Sequence, residues 1–378
     1  MVQPTRPSRN GFNAFARKIY NPLGFSKAYN FILWFIFAGA LFGCKYLFIF
    51  PPLLTLARFI YLNFGGVFCP SGGSNSMIGA APGECYWYRT FDWYKTGIIL
   101  HLAGILPACL LVVLQFTPVI RHKAIIIHRV SGWLVMLLWI VSLVGTLMIA
   151  RRAFNGGIDT QAWIGLVGFG STICFVLAIW NVKKLQIEQH RAWMLRGWFY
   201  VRLLHHHGII LIIATNVISA VGSYYTVWPC AKISFTMRSN EATLEAYPEC
   251  ASYINESDLL QQAVVHAKFG GRPTEIGAAL DMCFGMALWV ALAMHAIGVE
   301  VYLHLTPKEA ERLRNVSYQR QLEAGMRNPG SAGLTADKLG DSETWVPQVR
   351  KEESIDGGST LASDAHIGAP MSKLSTAN

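Results

Sequence analysis

Two short stretches hold the side chains most able to do chemistry: His128-Arg129-Val130-Ser131-Gly132-Trp133 and His190-Arg191-Ala192-Trp193-Met194-Leu195-Arg196-Gly197-Trp198. Each lies just ahead of a long apolar run and follows another. Imidazole titrates near neutral pH, and guanidinium holds carboxylates and phosphates through paired donors. A His-Arg pair repeated at the mouths of two apolar segments predicts a basic, titratable rim suited to an anionic group or a proton.

The elements that must position this rim follow from composition. The chain is 53% hydrophobic and 14% charged, with mean hydropathy +0.34, which is too apolar for an ordinary soluble domain of this length. Runs at residues 31–50, 97–117, 131–150, 162–182, 203–222 and 278–305 each supply about the 20 residues needed to cross the bilayer core. In lipid such runs must be helical, because a helix satisfies its own backbone polar groups. The reading is an all-α polytopic membrane protein of about six spans. Residues 1–30 form a basic lead, 31–305 the bundle with a four-helix core from spans two to five, and 306–378 a largely disordered tail. In that tail a short amphipathic helix is expected to end near Met326. Residues 53–64 follow Pro51-Pro52, are too short to cross, and are read as an interfacial helix or a bent extension of the first span. The first span is read as an uncleaved anchor.

Charge and cysteine agree on orientation. Lys and Arg gather in the N-terminal segment (Arg6, Arg9, Arg17, Lys18, Lys27) and in the loops after spans two and four. Six crossings place all three on one face, which is then cytosolic, with both termini inside. The net charge of +10 is thereby explained without nucleic acid. Cys69, Cys85, Cys230 and Cys250 fall in the two long loops opposite, where disulfides persist; their four thiols allow three pairings. Asn255-Glu256-Ser257, a glycosylation sequon, lies on the same side, whereas Asn315-Val316-Ser317 falls in the tail. The cluster Tyr86, Trp87, Tyr88, Trp93 and Tyr94 fits an aromatic belt. Arg151-Arg152, at the outer end of span three, runs against this pattern. The membrane itself is an endomembrane or the plasma membrane.

Ionisable groups at membrane depth are costly, roughly 2.5–3.5 kcal/mol on insertion scales, and usually face the bundle. His101, Asp281 and Glu300 are the candidate acid–base or proton-coupling residues. His205-His206-His207 turn about 100° per residue, so they cannot converge on one ion; by register His205 points inward, and no metal site is expected. Imidazoles from different helices with nearby Arg are what a b-type haem needs. The pairs are His205 with His295, or His128 with His190, with Arg129 or Arg196 on the propionates.

From Gln115 to about Ser219 the chain resembles the bacterial and fungal multi-pass predicted membrane protein family of unknown function (domain of unknown function 2306). The residues that carry this are Gln115-Phe116, Arg121, His128-Arg129, Gly132, Gly157, Trp180, His190-Arg191, Trp193-Met194 and Arg196, with His101 at the preceding helix. The resemblance covers about a third of the chain and implies a membrane-embedded four-helix core without an established reaction. Leu203-Leu204 and the three histidines depart from its pattern. The cysteine-bearing loops and the tail look like eukaryotic, fungal elaborations.

The functional reading is a multi-pass membrane protein with a His/Arg cluster of His128, Arg129, His190, Arg191, Arg196, His205 and His295. Two alternatives stand beside it. One is a single-haem redox protein. The other is a membrane-embedded enzyme or carrier for an apolar metabolite in a fungal biosynthetic pathway. The lipid bilayer is the one partner the sequence names; a small-molecule or redox partner stays open.

Overall fold

The structure, a computed structural model, describes residues 11–42, 68–69, 80–201 and 204–347. Residues 53–64 and residues 43–50 of the first expected span, Cys44 among them, lie outside the described residues.

Helix α1 spans Gly11–Tyr20 and α2 Ala28–Phe42. Then follow α3 (Glu84–Thr90), α4 (Asp92–Phe116), α5 (Pro118–Lys123), α6 (Ile125–Ile149), α7 (Ile158–Lys183), α8 (Ile187–Val201) and α9 (Leu204–Val221). Strand β1 (Tyr225–Pro229), α10 (Cys230–Met237), α11 (Asn240–Ala246) and β2 (Gln262–His266) come next, before α12 (Pro273–His304) and α13 (Pro307–Glu323). Prolines open α5, α12 and α13, at positions where a missing N–H costs nothing.

Among the described residues five helical stretches are long and apolar enough to cross a membrane: α4, α6, α7, Ile187–Val221 and α12. The fourth begins sixteen residues earlier than the expected 203, so the second His-Arg motif lies on a helix that enters the bundle and not in a loop before it. Lipid-facing stripes are plain on the outside. Leu137, Ile140, Val144 and Leu147 of α6 are exposed, as are Phe169, Ile173 and Val176 of α7, at the three- and four-residue spacing of one helix face. In water such patches would be a liability; in lipid they are the solvated surface.

Helix α4 packs along α6, α7 along α8, and α9 along α12. One core joins Ile105 and Val112 of α4, Val135 and Trp139 of α6, Phe175 of α7 and Trp198 of α8. Trp139, Phe175 and Trp198 meet at ring distances of 5.0–6.2 Å.

At one end the long loop between α9 and α12 is a folded cap. Strand β1 pairs antiparallel with β2, Tyr225 opposite His266 and Pro229 opposite Gln262. Trp228, Cys230, Ile233, Tyr247, Cys250 and Val265 bury against Ala278 and Ala279 of α12. Of the three pairings open to the sequence, the structure forms Cys69–Cys85 and Cys230–Cys250. Trp87 and Tyr88 belong to a second core with Ile98 of α4 and Ile149 of α6, while Trp93 is exposed, so the aromatic cluster is only partly a belt. Arg152 stacks on Trp87 at 4.2 Å, which gives the exceptional Arg151-Arg152 pair one local partner.

At the opposite end lies the tail, whose expected helix is α13, closing at Glu323. The tail is structured to Pro347, well past Met326. Its contacts with the turn between α7 and α8 are polar, while Trp345 packs on Tyr318 and Arg314 within the tail.

Candidate functional site at the basic end

The two His-Arg motifs meet at the end opposite the cap. Gln115, at the close of α4, donates from Nε2 to His128 O at 3.0 Å and to Ser131 Oγ, fixing the start of α6. On α8, His190 Nδ1–H donates to Ala178 O at 2.9 Å. Glycine at 197 lets α8 seat on α7, since a Cβ there would lie 2.4 Å from the Phe175 ring.

His128 lies close enough to feel the charge of Arg121, His190 and Arg129, and its Nδ1 is buried without a hydrogen-bond partner. Arg121 of α5 is the centre of the cluster. Its Nε is buried and unpartnered. Burial first, and then the cations of Arg191 and Arg312, push its guanidinium pKa down against the opposing pull of Glu309. Glu309 is the nearby acid; despite burial, the Arg312 hydrogen bond and the Arg191 and Arg121 charges hold it below the usual carboxylate range. Arg312 already grips Glu309 with two bonds of 2.8 Å. Cation thus exceeds anion here, and Arg121 forms no ion pair among the described residues.

Arg191 donates to Tyr302 Oη at 2.9 Å, which donates on to Asn30 Oδ1 at 3.0 Å, tying α8, α12 and α2 together. The remaining expected residues are placed elsewhere. Arg196 forms a two-pronged pair with Glu300 at 2.6 and 2.8 Å, on a half-exposed surface. Arg129 is exposed. His295 accepts at Nε2 from His206 at 2.8 Å and donates from Nδ1 to Phe199 O at 3.0 Å. His207 is buried with its ring 4.8 Å from that of Phe284. His206 and His207 therefore both meet the neighbouring helix α12; the side chain of His205 lies outside the described residues. Both His295 nitrogens are thus engaged by protein groups.

The acid–base candidates do not share a site. His101 Nδ1 sits 3.0 Å from Ser142 Oγ and 2.7 Å from Thr146 Oγ1, as glue between α4 and α6. Glu300 is held by Arg196, and Asp281 by Lys232 Nζ at 2.9 Å near the cap. Sequence reading missed Arg312 because it lies in a charged helix that looks merely solvated. It missed Glu84 and Lys232 because they lie in polar loops; the unpaired Asp281 of a span was the signal that a buried cation had to exist.

Residues 98–233 match the family model described as Predicted membrane protein (DUF2306), a segment that includes both motifs and Arg121. A relative, Ava biosynthesis cluster protein G of Aspergillus versicolor, is 23% identical over 326 residues, spanning 74% of this chain and 90% of that protein. No solved structure matches.

Proposed function

From a chain whose residues 98–233 match the DUF2306 predicted membrane proteins, we propose an integral membrane protein that takes the anionic head of a small amphiphilic molecule at its basic end. The observation that carries this is Arg121, half-buried, whose Nε is buried without a hydrogen-bond partner and which forms no ion pair among the described residues, set among Arg191, Arg312, His128 and His190. A guanidinium nitrogen buried without an acceptor is costly, and an oxyanion is the complement that relieves it. The apolar body of such a ligand would lie along the lipid-facing helices. Both disulfides lie at the cap end, which supports a basic end in the cytosol, where Lys and Arg are also in excess. A relative named for a biosynthesis cluster supports a metabolite over a structural lipid.

The test uses full-length protein in nanodiscs of neutral lipid and a long-chain alkyl phosphate, with binding followed by tryptophan fluorescence. Arg121→Gln is expected to weaken binding about tenfold, the order of one charge-assisted hydrogen bond, and Arg129→Gln to leave it unchanged. Inorganic phosphate at equal concentration separates head-group recognition from recognition of the whole amphiphile. Discs containing anionic lipid separate a metabolite from a bilayer head group, which would compete. Equal affinity in wild type and Arg121→Gln overturns the proposal.

A further inference from the structure

The cap end holds a charge cluster that the basic end leaves unused. Lys232 of α10 is fully buried, with Nζ 2.9 Å from Asp281 Oδ2 and 3.9 Å from Glu84 Oε1. It also lies over the Trp228 ring at 3.7 Å. The three charged side chains are at most 2% exposed. Glu84 Oε2 accepts from the Tyr88 hydroxyl at 3.2 Å and from Phe154 N–H at 3.0 Å. Glu84 Oε1 and Asp281 Oδ1 are buried with no hydrogen-bond partner. The cluster is also tightly walled. A Cβ on Gly83 would lie 2.7 Å from Lys232 Cε, and one on Gly277 would lie 2.6 Å from the Trp228 ring.

Two carboxylates and one ammonium leave a net negative charge in a buried pocket, and a buried charge of that kind neutralises itself by taking a proton. Lys232 sits an ångström closer to Asp281 than to Glu84, so Asp281 is its ionic partner and Glu84 is the group left over. We propose that Glu84, Lys232 and Asp281 form a one-proton binding site that locks the disulfide-pinned cap onto the spanning helix α12. Cys85 adjoins Glu84, and Cys230 stands two residues before Lys232. Both disulfides thus hold the elements that bring the cluster together.

The groups facing Glu84 are Asp281, Lys232, the Phe154 N–H and Tyr88 on its own helix. Burial, and then the negative charge of Asp281, raise Glu84 from 4.5 to about 7, against the pull of Lys232. Burial likewise keeps Tyr88 well above the usual phenol range, so it remains a donor. Because the folded value lies above the unfolded one, this group's stabilising contribution is complete below 4.5 and is lost as pH rises through about 7.

The experiment follows hydrogen–deuterium exchange of residues 225–266 in the full-length protein, corrected for intrinsic rates, together with the infrared carbonyl band of a protonated carboxyl. In wild type, cap opening is expected to rise by up to about tenfold per pH unit between roughly pH 5 and 7 and then level off. The infrared band should fade over the neutral range. Glu84→Gln, permanently neutral, is expected to remove both the slope and the band. Asp281→Asn removes the second carboxylate and is expected to move the transition to lower pH. Superimposable profiles for wild type and Glu84→Gln, or a transition unmoved in Asp281→Asn, overturn the proposal.

Discussion

Gly145 has no room for a methyl group. A Cβ there would lie 2.4 Å from His101 N and 2.5 Å from Gly97 O, and one on Gly104 would lie 2.6 Å from Leu138 O. The obstacles are backbone atoms, which cannot swing aside as a side chain can. Helices α4 and α6 therefore approach to backbone contact, the small-residue packing that membrane interfaces favour. That approach also brings His101 within reach of the Ser142 and Thr146 hydroxyls. Gly145→Ala is expected to cost about 1–3 kcal/mol as overpacking, seen as a lower melting temperature in detergent. Gly165→Ala, where nothing lies within 4 Å of the added carbon, is the control and should leave melting unchanged or slightly raised, as expected of a better helix former.

The tail shows what an element can do without an apolar face. Asn181, Gln186, Ser317 and Gln321 are fully buried, and Glu188 nearly so. Gln321 Nε2 donates to Lys184 O and Gln186 Oε1, both at 2.9 Å, while its Oε1 accepts from Gly330 N–H at 2.6 Å. Gln186 Oε1 accepts from Gly333 N–H at 2.8 Å, Asn181 Oδ1 accepts from Leu334 N–H at 2.8 Å, and Ser317 Oγ donates to Glu188 Oε2 at 2.7 Å. Residues 317–334 thus form a strap that clasps the turn launching α8 and its His-Arg motif. Gln321→Ala orphans Gly330 N–H and is expected to weaken docking by about 1–3 kcal/mol. Limited proteolysis should then cut between residues 324 and 347 while sparing α4 and α6. These facts also explain what the sequence hid. The spans were legible because lipid demands long apolar runs, and the rim was legible because His and Arg repeat beside them. The strap was not, because amide side chains bonding to glycine backbone leave no period. Nor were Glu84 and Lys232, whose burial depends on a cap that two disulfides and a two-stranded sheet assemble from distant loops.

At the scale of the whole molecule, the two ends differ in kind. One is a cross-linked cap with a buried charge cluster; the other is a basic rim covered in part by a polar strap. The orientation proposed for them can be read from two sequons that lie at opposite ends. Asn255 is exposed, and its Oδ1 accepts from Ser257 N–H and Oγ in a local turn at the surface of the cap. Asn315 instead donates to Glu311 O within α13, and the hydroxyl of its sequon, Ser317, is buried in the strap. Glycosylation needs both a lumenal face and an accessible hydroxyl, and Asn315-Val316-Ser317 lacks the second whichever way the chain crosses. Expression in a eukaryotic host is therefore expected to give a glycosidase-sensitive species that Asn255→Gln abolishes and Asn315→Gln leaves untouched. If the wild type carries no glycan, an inserted sequon in the loop before Tyr224 decides the side independently. Modification at Asn315 would invert the bundle, place the rim outside the cytosol, and detach the strap from the helix it holds.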